Sequence, residues 1–455
     1  MNPHIFLVVI DTLRGDYANI LEETLKRFGF VSYKNVIAPS SWTLPSHASI
    51  FTGLYPALHG AHETPEKKDN IRLNKKSWLL NVELSELGYT TFLITANPFI
   101  SPIFGFVDFN YSHQTSHTYR ISILSKNEKK KIENLVNSLG NNQNNFAIAQ
   151  ELARQREWKL LIKSGVNYIL TRKYAYYMYG ILKRWPTEKG SKININQVRK
   201  YLKYNHRDNE SKFFFVNFME VHEPYFIGDH LGEAGLRENL RANLLDYNAV
   251  KKWQTIYPLQ VEYMTKRILN FLSVLKEKKI FDNSLIIITS DHGQLLGEQG
   301  RISHGTFLYD ELLKVPLLVK YPKGYEVEHI RDESKYVSLI KLKPFILDII
   351  NNKLDNDSIL YEDTVFAESY GTHIKVVPRN DEELANIEGL EKYRIALYYK
   401  SFKGIFNVTD WRFEEIISYR HDVELSNDIM KKMKKEVIKF LRTKTLAKVP
   451  RITYE

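Results

Sequence analysis

Asp11, Asp291 and His292 are the residues whose types and positions most directly suggest chemistry. Asp11 closes the apolar run Ile5 to Ile10, and Asp291-His292 follows the run Leu285 to Thr289. Both runs have the length and β-branched content of buried strands. In an open α/β sheet, ligands bind beyond the carboxyl ends of the strands. Two carboxylates and an imidazole form a mixed oxygen and nitrogen set. Such a set suits Zn²⁺ or Mn²⁺ better than the all-oxygen sites of Ca²⁺ and Mg²⁺, with Ca²⁺ left open. A plainer alternative stands beside it, in which Asp11 caps a helix and Asp291-His292-Gly293 makes a turn.

The elements that must position these residues alternate along the chain. Ile5 to Ile10 reads as the first strand. Ser77 to Leu87 has apolar residues at helical spacing and is stopped by Gly88, after which Tyr89 to Thr95 reads as a strand. Phe213 to Met219 is a further strand, Val261 to Lys276 an amphipathic helix, and Leu285 to Thr289 a third strong strand. Pro316 to Tyr321 is a shorter strand, and Val337 to Ile350 reads as a helix leading out of the core. Repeated βα units of this kind predict an α/β fold, a three-layer α/β/α sandwich around a mostly parallel sheet. The catalytic α/β domain is expected over 1–350, and 351–455 reads as a small C-terminal α+β subdomain ending in a helix from Asp428 to Leu441.

A chain of 455 residues with 26% charged and 43% hydrophobic positions falls in the globular class. It has no cysteine, which removes disulfides, thiolate metal sites and cysteine nucleophiles. The first apolar run is too short for a signal peptide, and no window approaches the roughly 18–20 apolar residues of a membrane span. The expectation is therefore a cytoplasmic protein, or one held peripherally at a membrane. The net charge of +11 is concentrated in residues 112–212, which carry 20 Lys and Arg against 7 Asp and Glu. The remainder is close to neutral, so nucleic-acid binding is not expected.

That basic segment reads as a helical insertion. Phe146 to Arg184 is expected to form two helices broken near Ser164 and Gly165, with Pro186 ending the second. It interleaves Arg154, Arg156, Lys159, Lys163, Arg172 and Lys173 with Trp158, Tyr168, Tyr174 and Trp185. Solvated basic helices are the first reading. Contact with anionic lipid or a lipid-linked substrate through 146–184 is the second, and a cap over a polyanionic substrate the third.

The segment Ser41-Trp42-Thr43-Leu44-Pro45-Ser46-His47, continuing to Thr52-Gly53-Leu54-Tyr55-Pro56 and His59-Gly60, resembles the signature of the alkaline phosphatase and sulfatase superfamily. Further resemblances follow in the family's order. They lie at Val9 to Arg14, Glu220 to Tyr225, Ser290 to Gly293, Leu296-Gly297-Glu298, His304-Gly305, Tyr309-Asp310-Glu311 and Val315-Pro316-Leu317. The resemblance spans 4–322 and leaves out the insertion and the last hundred residues. It implies a metal-dependent ester hydrolase with Thr43 as nucleophile and Asp11, Thr43, Asp291 and His292 around a divalent metal. His222 and His304 fall at positions that bind the transferred oxyanion or protonate the leaving group, and second-metal ligation stays open for both.

Sulfatases of this superfamily convert a Cys or Ser in Cys/Ser-x-Pro-x-Arg to formylglycine. The corresponding residues are Thr43, Pro45 and His47, and threonine cannot follow that route. The pattern is closer to branches in which a threonine hydroxyl attacks phosphorus, so an anionic phosphate mono- or diester is the expected substrate. Sulfuric ester hydrolysis, phosphoethanolamine-type transfer and a catalytically inactive binding protein are the alternatives. The Asp-x-x-x-His pair of two-metal relatives is missing near Glu220 to Tyr225, Asp229-His230 being adjacent, so one ion is favoured over two. The asparagine that phosphodiesterase relatives carry 21 residues after the nucleophile is Thr64 here. His47, His59 and His62 are expected to be structural, and Lys314 and Lys320 to be solvated flanks. Nothing in the sequence fixes the oligomeric state.

Overall fold

A computed structural model describes residues 2–68, 71–73, 79–115, 122–138, 145–172, 188–203, 210–227, 240, 247–330, 332–351 and 355–444. The Gly140 to Asn144 tract, residues 77 and 78, the sequence from Lys173 through Pro186, and Asp229-His230 lie outside the described residues. Strands β1 (His4–Ile10), β2 (Val31–Tyr33), β3 (Val36–Ile37), β4 (Thr90–Thr95) and β5 (Tyr111–Gln114) precede the insertion. After it come β6 (Lys212–Phe218), β7 (Ser284–Thr289), the two-residue β8 (Leu295–Leu296) and β9 (Ile302–Ser303), and β10 (Leu317–Lys320). Seven of these form the central sheet in the order β2-β10-β7-β1-β6-β4-β5. Within it β1 runs parallel to β6 and β7, β4 runs parallel to β5 and β6, and β10 is antiparallel to both β7 and β2.

The alternation of side chains along β1 makes the layers. Ile5, Leu7 and Val9 enter one core with the helices Thr43–Thr52, Leu80–Glu86 and Leu342–Ile350. Phe6, Val8 and Ile10 enter the other, under the helices Asn19–Lys26, Ser191–Lys203 and Tyr247–Glu277. A strand buried on both faces reads as a continuous apolar run, which is why Ile5 to Ile10 shows no polar alternation. The result is the three-layer arrangement around a mostly parallel sheet.

Three local expectations need correction. Val337 is in a strand, β11 (Tyr336–Ser338), parallel to β3 and antiparallel to β12 (Tyr361–Glu362), and the helix begins at Leu342. Pro344 lacks an N–H and is accommodated in the first helical turn, which sets the start there. The insertion helices are Asn145–Arg154 and Trp158–Arg172, so the break is at Gln155–Glu157 and Gly165 lies inside the second helix. Arg156 takes a left-handed φ of 57°, and the N–H groups of residues 155–157 close onto the carbonyls of Glu151, Ala153 and Leu152. A mid-helix glycine costs only about 1 kcal/mol, too little to force a break at Gly165. Lys320 is buried rather than solvated, its ammonium donating to the carbonyls of Phe281, Asp282 and Ser284. Burial lowers its pKa to about 8.

The chain divides into two compact units, residues 117–188 and the rest. The smaller unit packs Leu135, Leu152 and Leu160 into a core of its own. In the larger unit the C-terminal residues build an antiparallel sheet in sequence order, β13 (Thr364–Ser369), β14 (Arg394–Tyr399), β15 (Phe402–Asn407) and β16 (Arg412–Ser418). The helix Asn427–Lys444 covers it through Met433, Val437 and Phe440.

Candidate active site

Parallel neighbours bring their carboxyl ends to one place, and β1 and β7 are neighbours. Asp11 continues the β1–β6 ladder with its N–H on the Phe218 carbonyl at 2.9 Å. Thr12 then turns the chain sharply with φ 61°. The turn is held by Thr12 N–H on Asp291 Oδ1 at 3.3 Å, by Leu13 N–H on Ser290 Oγ at 2.9 Å, and by the Tyr257 hydroxyl on the Thr12 carbonyl at 2.7 Å. Arg14, the last residue of that motif, is a clamp: its guanidinium holds Asp16, Glu298 and the Gln294 carbonyl. Asp11 therefore caps no helix; its carboxylate is fully buried against Asp291 and His292.

Thr43 is the first residue of its helix, and Trp42 before it makes no side-chain cap. First-turn N–H groups of such a helix favour an anion. Thr43 Oγ1 lies 3.3 Å from His292 Nε2. The helix is fastened to the β7 end by Ser46 Oγ, which donates to the Asp291 carbonyl at 2.6 Å, and by His47, whose Nδ1 is 3.3 Å from Asp291 Oδ2 and 2.9 Å from the Thr43 carbonyl. His59 is held by Ser49 and the Ala61 N–H, and His62 stacks on Tyr370.

The donor set fits a divalent cation. One ligand atom each from Asp11, Asp291 and His292 lies within 4.8 Å of the others. Asp11 Oδ1 and Asp291 Oδ2 are buried with no hydrogen-bond partner among the described residues. Burial, then the neighbouring carboxylate, pushes Asp11 up to about 8, and burial pushes Asp291 up to about 7. A positive charge placed between two such carboxylates favours the ionised form of both. His292 Nδ1 faces the Gly293 carbonyl at 2.9 Å. A carbonyl only accepts, so Nδ1 carries the proton and Nε2 presents its lone pair to the carboxylates, the tautomer a metal requires.

Three more imidazoles lie beyond. The His292 and His304 rings stack at 4.8 Å, His222 meets His304 edge-on at 4.8 Å, and His373 lies 6.0 Å from His304. Glu223 fixes their orientation: it accepts from Gln294 Nε2 and from Ser303 Oγ, so Gln294 Oε1 faces His304 Nδ1 at 3.0 Å. His222 Nδ1 donates to the Glu223 carbonyl. Burial holds His222 down at about 3, as it does His373, and lowers His304 strongly. Both His222 and His304 are thus neutral rings with the proton on Nδ1.

Sequence reasoning missed three residues of this site. Asn97, just past β4, donates to Asp11 Oδ2 at 2.7 Å and lies 3.5 Å from Thr43 Oγ1. Its position at a strand end was the available signal. Lys189 is buried, donates to the His222 carbonyl, and draws down the pKa of both Asp11 and His222 by its charge. His373 comes from the C-terminal segment and packs against Trp42 with ring centres 5.7 Å apart. Lys189 follows no strand in the sequence, and His373 comes four residues after β13, in a part of the chain that carries none of the family-like motifs.

Residues 3–352 match the family model described as Sulfatase. Among curated proteins, an N-acetylglucosamine-6-O-sulfatase of Bacteroides thetaiotaomicron is 24% identical over 216 residues, 47% of this chain and 32% of the relative. The low-salt glycan biosynthesis sulfotransferase Agl7 of Haloferax volcanii is 32% identical over 116 residues, 24% of this chain and 29% of the relative. The chain thus spans about a third of the length of these relatives. Among solved structures, a phosphonate monoester hydrolase of Agrobacterium radiobacter superposes with a TM-score of 0.62 at 15% identity, covering 98% of this chain and 96% of that one. A 2-O GAG sulfatase gives 0.63 at 11% identity, covering 98% and 93%. These structures share the fold.

Proposed function

Because the chain belongs to the sulfatase family, we propose that it is a metal-dependent hydrolase of phosphate mono- or diesters in which Thr43 takes up the transferred group. One observation carries the choice of phosphorus over sulfur. The hydroxyl at the nucleophile position belongs to a threonine, set 3.3 Å from His292 Nε2. A secondary alcohol is a competent nucleophile toward phosphorus when its pKa is lowered, and it cannot be oxidised to the aldehyde of formylglycine.

Asp11, Asp291 and His292 would hold one divalent ion, Zn²⁺ or Mn²⁺ by the donor set, with Thr43 beside it. Such an ion supplies the positive charge that favours the alkoxide and neutralises the ester oxygens. Asn97 orients both Asp11 and the Thr43 hydroxyl. The Thr43 hydroxyl gives up its proton to solvent and its oxygen bonds to phosphorus as the ester oxygen departs with the bonding pair; water later bonds to phosphorus, loses a proton to solvent and displaces Thr43, whose oxygen is reprotonated. His222 and His304, neutral in the free protein, gain proton affinity beside a bound anion and then serve as donors to the ester or its leaving group. Lys189 adds a fixed positive charge on the same side.

The sulfotransferase relative favours a second reading, transfer to an acceptor hydroxyl in place of water. Hydrolysis of p-nitrophenyl phosphate, bis-p-nitrophenyl phosphate and p-nitrophenyl sulfate by metal-loaded and chelated protein separates these readings. Phosphoester turnover abolished by chelation is expected. Turnover of the sulfate alone would overturn the reading, and phosphoester turnover only when an acceptor alcohol is added would replace hydrolysis with transfer.

A further inference from the structure

The helix Trp158–Arg172 is apolar on two sides, and only one of them is used. Leu160 and Leu161 pack into the small core with Leu135 and Leu152. On the opposite side Trp158, Ile162, Val166 and Ile169 are 57%, 67%, 44% and 51% exposed. At about 100° per residue these four fall within an arc of roughly 80°, a continuous stripe along about 17 Å of helix. A helix that is hydrophobic on both sides is made to be covered on both.

Charge argues for what covers it. Residues 117–188 hold 13 Lys and Arg against 5 Asp and Glu. Several of these are neutralised locally, Lys163 by Glu128, Lys131 by Glu157 and Arg154 by Glu151. Arg156 and Lys159, exposed at the N-terminal end of the stripe, have no ion pair among the described residues. An exposed apolar stripe opening on tryptophan, bordered by free cations, is the pattern of a helix that lies in the plane of a membrane interface. Neither signal suffices alone: a few apolar side chains give weak partitioning, and a few cations are screened within a Debye length.

We propose that this face of the helix docks the protein on a bilayer surface rich in anionic lipid, its stripe entering the headgroup boundary and its cations meeting lipid phosphates. This surface is independent of the ester chemistry and would hold were that reading wrong.

The test is sedimentation of the full chain with vesicles of phosphatidylcholine alone or mixed with phosphatidylglycerol, at low and high salt. Binding is expected only with the anionic mixture, falling as salt rises. Trp158→Ser combined with Ile162→Ser should weaken it by at least about tenfold, since each removes a large apolar side chain from the interface. Lys159→Glu should weaken it mainly at low salt. All three positions are exposed, so the circular dichroism spectrum and turnover of a soluble ester should match the parent. No sedimentation at low salt, or equal sedimentation of the double variant, would overturn the proposal. So would a parent that elutes as a dimer and a double variant that elutes as a monomer, which would give the face to a second copy.

Discussion

Asp11 and Asp291 are held side by side, each with a buried oxygen that has no hydrogen-bond partner among the described residues, and burial keeps their proton affinity high. Asn97 is what orients Asp11 from the far side. Removing its amide leaves Asp11 Oδ2 without its 2.7 Å donor and takes away the 3.5 Å contact on the Thr43 hydroxyl. Asn97→Ala should therefore cost about 10–100-fold in metal affinity, the usual effect of losing a group that orients a ligand. Titration of metal into chelated protein measures it, and an unchanged affinity would remove Asn97 from the site. Asp11, Asp291 and His292 were legible as candidates because they end strand-like apolar runs and sit in motifs that resemble the family's in order, and the fold brings the three together. An asparagine past a strand looks like a turn residue, and only the fold brings position 97 to position 11.

At the scale of elements, strands were legible where burial on both faces makes an unbroken apolar run, as in β1, β6 and β7. The helix opening at Thr43 was legible from the motif. The start of β11 was not, because Tyr336–Ser338 is too short to show a period and is made a strand by its pairing with β3 and β12. The turn after β7 shows how one residue sets an element's path. Gly293 N–H bonds the Leu312 carbonyl at 2.8 Å, and a Cβ on Gly293 would lie 1.9 Å from the Glu311 carbonyl oxygen. Gly293→Ala must push the turn away from the helix Asp310–Leu313, moving His292 with it. A cost of about 1–3 kcal/mol is expected from such overpacking, read as a lower melting temperature together with reduced metal content at saturating metal. A variant that melts and loads as the parent does would show the turn has room that the geometry denies.

The larger unit ties its last hundred residues to the site, although the family model ends at 352. Asp310, in the Tyr309-Asp310-Glu311 motif, accepts from Lys403 and Tyr398 of the C-terminal sheet and from Tyr419 just beyond it. Glu63 joins Trp42 Nε1 at 2.8 Å to the Tyr370 N–H at 3.2 Å, and His373 closes the wall beside His304. Segments distant in sequence thus converge around the helix that opens at Thr43, and the proposed chemistry depends on the Thr43 hydroxyl oxygen. The direct measurement is phosphoester turnover by metal-loaded Thr43→Ala and Thr43→Ser beside the parent, with metal content determined on each. Loss of about 10³-fold or more in the alanine variant at unchanged metal content, with partial activity in the serine variant, is the predicted result. Turnover by Thr43→Ala within a few-fold of the parent would contradict it.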